Sequence, residues 1–106
     1  MSERLELLTW SGCPSHDGAV ALLTSVLDDL GRSDEPVGVR WIEDESEAQR
    51  AAFIGSPTFR LDGRELIVPP EPAMYALTCR VYRKRDGRFS PLPDRDELRE
   101  RLEELL

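Results

Sequence analysis

The apolar and polar positions of this chain fall into short segments whose period switches between that of a strand and that of a helix. Over residues 4–10, Leu5, Leu7 and Thr9 alternate with Arg4 and Glu6, and Leu8 and Trp10 then make the far end apolar on both faces. A strand apolar on both faces belongs in the middle of a sheet covered by helices. Ser11-Gly12 turns the chain. Over residues 14–30, Ala19, Leu22, Leu23, Val26, Leu27 and Leu30 recur at helical spacing and predict a helix. Pro14 suits its first position, where the missing N–H would be unpaired anyway. Cys13 then occupies the N-cap, and Gly31 supplies the stop.

Residues 37–42 read as a second strand with Val37, Val39 and Trp41 on one face, and Trp41 is expected in the core. The order strand, helix, strand implies a right-handed parallel crossover. A short charged helix over residues 45–53 follows, with Ser46 and Gln49 as its capping box and Ala48, Ala51 and Ala52 as its buried side. Gly55-Ser56-Pro57 breaks it. Residues 58–61 and 65–68 are two short strands joined by Asp62-Gly63, a strong hairpin signal. Pro69-Pro70-Glu71-Pro72 fits neither a central strand nor a helix interior. Within residues 73–92 only 78–82 have strand-like content, and Asp86-Gly87 offers a turn. Asp94 with Glu97 starts a last helix with the apolar stripe Leu98, Leu102 and Leu105.

The chain has 106 residues, enough for one domain (1–106) with one hydrophobic core. A net charge of −7 argues against general binding to nucleic acid or to an anionic membrane. No apolar run reaches the roughly twenty residues that span a bilayer, and no leader pattern opens the sequence, so a cytoplasmic location is expected. Two cysteines in that setting are expected to serve redox chemistry, metal binding or burial rather than a disulfide staple. Arg80, Arg83, Lys84, Arg85 and Arg88 form a basic cluster in an acidic chain. We read it first as a solvated edge whose charges block sheet-to-sheet pairing, and otherwise as an attractor for an anionic thiol or an acidic partner.

Cys13 is the centre of the candidate chemistry. It stands in Gly12-Cys13-Pro14-Ser15-His16, at a strand-to-helix junction where the helix N-terminus favours thiolate over thiol. His16, one turn along, can stabilise the thiolate as imidazolium or accept its proton as neutral imidazole. The plainer alternative is an ordinary N-cap cysteine with a solvated histidine. Cys79 has three readings: a resolving thiol, a second soft ligand, or a buried small hydrophobe. A disulfide with Cys13 requires α-carbons within about 7 Å. Cys13, His16 and Cys79 together have the N and S donors that zinc accepts, whereas a softer ion such as mercury prefers the two thiolates. Trp10 and Tyr82 are candidates to line a substrate groove.

The order β-α-β-α, then a hairpin, then a helix, with Cys13 opening the first helix and Gly55-Ser56-Pro57-Thr58 before the third strand, resembles the thioredoxin-like superfamily over most of the chain. The segment is similar to the Gly-Ser-Pro-Thr variants of small bacterial members. The resemblance implies an α/β fold with a central mixed sheet of four or five strands flanked by helices. It implies a nucleophilic Cys13, a cis-proline at Pro57 facing it, and a Ser56 that presents its backbone to an extended thiol substrate, with Trp10 and Pro14 beside the site. The implied activity is thiol–disulfide exchange on a protein or small-molecule thiol or disulfide, with no cofactor, no bound metal, and no nucleic-acid or membrane partner. Two features depart from the family. Cys-x-x-Cys has become Cys13-Pro14-Ser15-His16, and residues 69–93 are longer than a hairpin-to-helix link needs. The alternatives are a binding module that keeps the scaffold without the chemistry, including as a homodimer, and a thiol-based handler of a soft metal of the mercury type.

Overall fold

The computed structural model describes residues 3–69 and 74–106, so most of the Pro69-Pro70-Glu71-Pro72 run lies outside the described residues. Strand β1 (Leu5–Thr9) leads into helix α1 (His16–Asp29), then strand β2 (Val37–Trp41) and helix α2 (Glu45–Arg50). Strands β3 (Thr58–Leu61) and β4 (Arg64–Glu65) form a hairpin. A second, separate hairpin of β5 (Tyr82–Arg83) and β6 (Phe89–Ser90) precedes helix α3 (Arg95–Leu105). The fold is α/β, with a mixed four-stranded sheet in the order β2-β1-β3-β4. β1 runs parallel to β2, in the register Leu5↔Val37, and antiparallel to β3, in the register Leu5↔Leu61.

The doubly apolar β1 is central because each of its faces has its own core. Leu5 and Leu7 pack with Ala19, Leu23, Val26 and Leu27 of α1, Phe59 and Leu61 of β3, and Leu98 and Leu102 of α3. Leu8 points the other way, into a smaller cluster with Ile42, Ala48, Ala51 and Phe53 around α2. This places α1 and α3 against one face of the sheet and α2 against the other. The small side chains Ala48 and Ala51 are the buried ones on α2, which lets that short helix sit close. Asp62 and Gly63 both take left-handed backbone angles, φ 52° and 80°, as a two-residue turn between twisted strands requires.

Several local expectations are corrected. α1 begins at His16 with Ser15 before it, because the Cys13 N–H is spent on the Trp10 carbonyl (3.0 Å) in a separate turn. Cys13 is therefore not the N-cap and Pro14 is not the first helical residue. The N-terminus of α2 is capped by Asp44, whose side chain accepts from the Glu47 N–H at 2.7 Å, in place of Ser46 with Gln49. The fourth strand ends at Glu65, earlier than expected; the Leu66 N–H still donates to the Phe59 carbonyl at 3.0 Å, and the Leu66 and Ile67 side chains enter the core. Trp41 is 45% exposed rather than in the core, because β2 is an edge strand of the sheet. Asp94 caps α3 as expected, accepting from Asp96 and Glu97 N–H groups, but only Leu98 and Leu102 of the stripe are buried.

No helix among the described residues is long and apolar enough to cross a membrane. The burial pattern makes a direct test of α3. Leu102→Ala should destabilise the chain by about 3 kcal/mol through lost burial and a residual cavity, while Leu105→Ala should cost under about 0.5 kcal/mol. Equilibrium denaturation of the two variants checks the contrast.

Candidate functional site

At the end of β1 the chain makes its turn beneath Trp10. A β-carbon added at Gly12 would meet indole carbons at 2.4 to 2.8 Å, so this position has no room for a larger residue while Trp10 stays in place. Ser11 fixes the turn to the β2–α2 connection through its N–H and hydroxyl, which donate to the Glu43 carboxylate at 3.1 and 2.8 Å. Cys13 follows, 4% exposed. Pro14 is at the surface.

Facing this turn is Ser56, fully buried, joined to Pro57 by a cis peptide bond. Every polar atom of Ser56 is engaged. Its Oγ accepts from the Trp10 N–H at 3.0 Å and shares a hydrogen bond of 3.1 Å with Thr9 Oγ1. Its N–H donates to the Thr78 carbonyl at 2.8 Å, and its own carbonyl accepts from the Arg80 N–H at 2.8 Å and from Cys13 Sγ at 3.5 Å. Ser56 and Cys79 are thereby paired as neighbours in a parallel bridge. Tyr82 completes the arrangement, its hydroxyl donating to the Pro57 carbonyl.

The fold thus brings together Cys13, Ser56, Pro57 and Cys79, from three stretches of sequence. Both cysteines are free thiols. Cys79 is exposed, which overturns the reading of it as a buried small hydrophobe. Cys13 is the buried one, roofed by the Ser56 carbonyl and the Cys79 segment. Burial pushes the Cys13 thiol up, but hydrogen bonds from Cys79, Ser15 and Ser56 outweigh it and leave Cys13 below the ordinary thiol value. The Cys79 thiol is pushed up to about 11, chiefly by its hydrogen bond to Cys13, with burial and the Cys13 charge adding to it. Cys13 is therefore the more acidic of the two thiols and Cys79 the less.

His16 is placed differently from expectation. Its ring packs on Trp41, with centroids 4.7 Å apart and planes at 41°, and its buried Nδ1 has no hydrogen-bond partner among the described residues. It is not among the groups that hydrogen-bond Cys13. Nor does any set of three or more His, Cys, Asp and Glu side chains among the described residues converge to hold a metal ion, so Cys13, His16 and Cys79 do not form such a centre.

The basic cluster also divides. Arg80 is buried: its guanidinium donates to the Ile67 carbonyl at 2.6 Å, pairs with Glu65 at 3.3 Å, and lies 4.2 Å from the centre of the Tyr82 ring. Arg85 and Arg88 pair with Glu100 and Asp86. The reading of the cluster as a solvated edge fails at Arg80, which anchors the segment carrying Cys79. Sequence reasoning missed this anchor, and it missed Thr9 and Tyr82 as supports of Ser56 and Pro57. A threonine closing β1 directly after Leu7 and Leu8 was the one signal available.

Comparison of the chain with protein-family models, with curated proteins and with solved structures finds no match.

The acidity difference is open to measurement by alkylation with iodoacetamide across pH. Cys13 should react with a midpoint below that of an ordinary thiol and Cys79 with a midpoint near 11. In Cys79→Ala the Cys13 midpoint should rise, since the leading hydrogen bond to its thiolate is gone and burial remains. Separately, Ser56→Ala strands the Trp10 N–H and the Thr9 hydroxyl, and should lower stability by about 1–3 kcal/mol in a denaturant titration.

Proposed function

We propose that this chain is a thioredoxin-like thiol–disulfide exchange protein in which Cys13 is the attacking thiolate and Cys79 the resolving thiol. The strand order β2-β1-β3-β4, with a cysteine turn before α1 and a cis-proline before β3, supports the resemblance read from the sequence. The observation that carries the chemistry is that two free thiols flank Ser56: Cys13 Sγ donates to the Ser56 carbonyl at 3.5 Å, and Cys79 pairs with Ser56 in a parallel bridge. Cys79 takes over the role that a second motif cysteine would otherwise have.

The chemistry runs in two displacements. The Cys13 thiolate attacks one sulfur of a disulfide RS–SR; the S–S bond breaks, Cys13–S–SR forms, and RS⁻ leaves. The hydrogen bond and charge that held the proton on Cys79 are then gone, so Cys79 ionises more readily. Its thiolate attacks Cys13 Sγ and expels the second RS⁻. One external disulfide is reduced to two thiols, and the Cys13–Cys79 pair is oxidised, its two protons passing to the released thiolates. The reverse sequence, with a dithiol as reductant, regenerates the free pair.

With hydroxyethyl disulfide at neutral pH, peptide mapping should show a Cys13–Cys79 disulfide. Cys79→Ser should stop at a mixed disulfide on Cys13, and Cys13→Ser should leave only the slow reaction of an exposed thiol at Cys79. A chain that leaves Cys13 unmodified under these conditions is not an exchange protein. The same pair of sulfurs favours a second reading, capture of Hg(II) between two thiolates. One-to-one binding lost in Cys79→Ser would mark it.

A further inference from the structure

We infer that residues 76–80 form a built-in strap across the thiol site, which reserves Cys13 for small disulfides and excludes extended polypeptide ones. This rests on the exchange reading above and specifies its substrate class. Extended peptides are held mainly by unpaired backbone N–H and C=O groups at a sheet edge or cleft. Beside Cys13 those groups belong to Ser56, and the strap already uses both, through the Thr78 carbonyl and the Arg80 N–H at 2.8 Å each. The strap is fixed at both ends. The Ala76 N–H donates to the Phe53 carbonyl at 3.0 Å and the Leu77 N–H to the Glu45 carboxylate at 3.2 Å. At the other end the buried Arg80 guanidinium holds Ile67, Glu65 and the Tyr82 ring.

Gly55 shows how closely the strap is seated. A β-carbon there would stand 2.9 Å from the Arg80 N and Cα, and Gly55 has a φ of 129°, so its neighbour on the strap side is backbone that cannot swing away. The two classes of substrate therefore meet different obstacles. A small disulfide approaches from the side of the exposed Cys79 and needs neither Ser56 backbone group to be held near Cys13. An extended peptide must break both Ser56 pairings and displace the Arg80 anchor with them.

The test compares hydroxyethyl disulfide with an extended peptide whose single cysteine is disulfide-bonded to mercaptoethanol, and mass spectrometry counts only the Cys13–peptide adduct, whose formation expels mercaptoethanol as the reaction with hydroxyethyl disulfide does. In Cys79→Ser, where the product stays on Cys13, hydroxyethyl disulfide should react at least roughly tenfold faster, the effect of displacing a pair of backbone hydrogen bonds. Gly55→Ala, which forces the strap off, should narrow that ratio. A second measurement needs no change at Gly55: the Ser56 and Arg80 amides should stay protected from hydrogen exchange while Cys13 carries the small adduct. Equal rates for the two substrates, or loss of amide protection with the small adduct, would overturn the strap while leaving exchange chemistry intact. Reaction with neither substrate would overturn the exchange reading itself, and the substrate class with it.

Discussion

The hydrogen bonding of Ser56 is the constraint on which the site depends. It is a polar residue with no exposed surface, and burial of its N–H, C=O and hydroxyl is tolerable only because each has a partner. Those partners lie on three separate stretches of chain: the end of β1, the cysteine turn, and the segment carrying Cys79. A single buried serine thus holds in register the two thiols, which no element of regular structure would otherwise bring together. The β-ladders position β1 and β3; Ser56 converts their adjacency into a chemical site.

The electrostatics follow from that placement. A buried thiol is ordinarily a poor acid, since desolvation penalises its charged form. Cys13 escapes this because hydrogen bonds from its neighbours, that of Cys79 first among them, offset the burial. The cost appears on Cys79, whose proton is held in place. Each thiol is among the causes that shift the other, so a covalent change at one sulfur alters the acidity of its neighbour. His16, the residue that a sequence reading would assign to proton transfer, packs its ring on Trp41 and makes no hydrogen bond to Cys13.

Where local pattern determines structure, the sequence was informative. The apolar faces of β1 predicted its central position, the spacing of Ala19 to Leu27 predicted α1, and Asp62-Gly63 and Asp94 marked their turn and cap. The failures share a physical cause. Trp41 sits in an alternating pattern that suits a core, but whether a strand is central or at the edge is decided by pairing partners far away in sequence. Arg80 belongs to a run of charges that looks solvated, and its burial depends on Glu65, Ile67 and Tyr82 arriving from other elements. The cis bond before Pro57 and the position of Cys13 beside it were legible because each residue stands at a junction between elements. The closeness of Cys79 was not, since it rests on one parallel bridge outside any strand.

Trp10 and Trp41, the chain's two tryptophans, have a practical consequence. One covers the turn that carries Cys13, and the other packs against the first turn of the helix that follows. Intrinsic fluorescence from this chain therefore originates at one end of the sheet. Sulfur is an efficient quencher and imidazolium another, so the emission is an optical reporter built into the fold, sensitive to this neighbourhood and silent about the far side of the molecule.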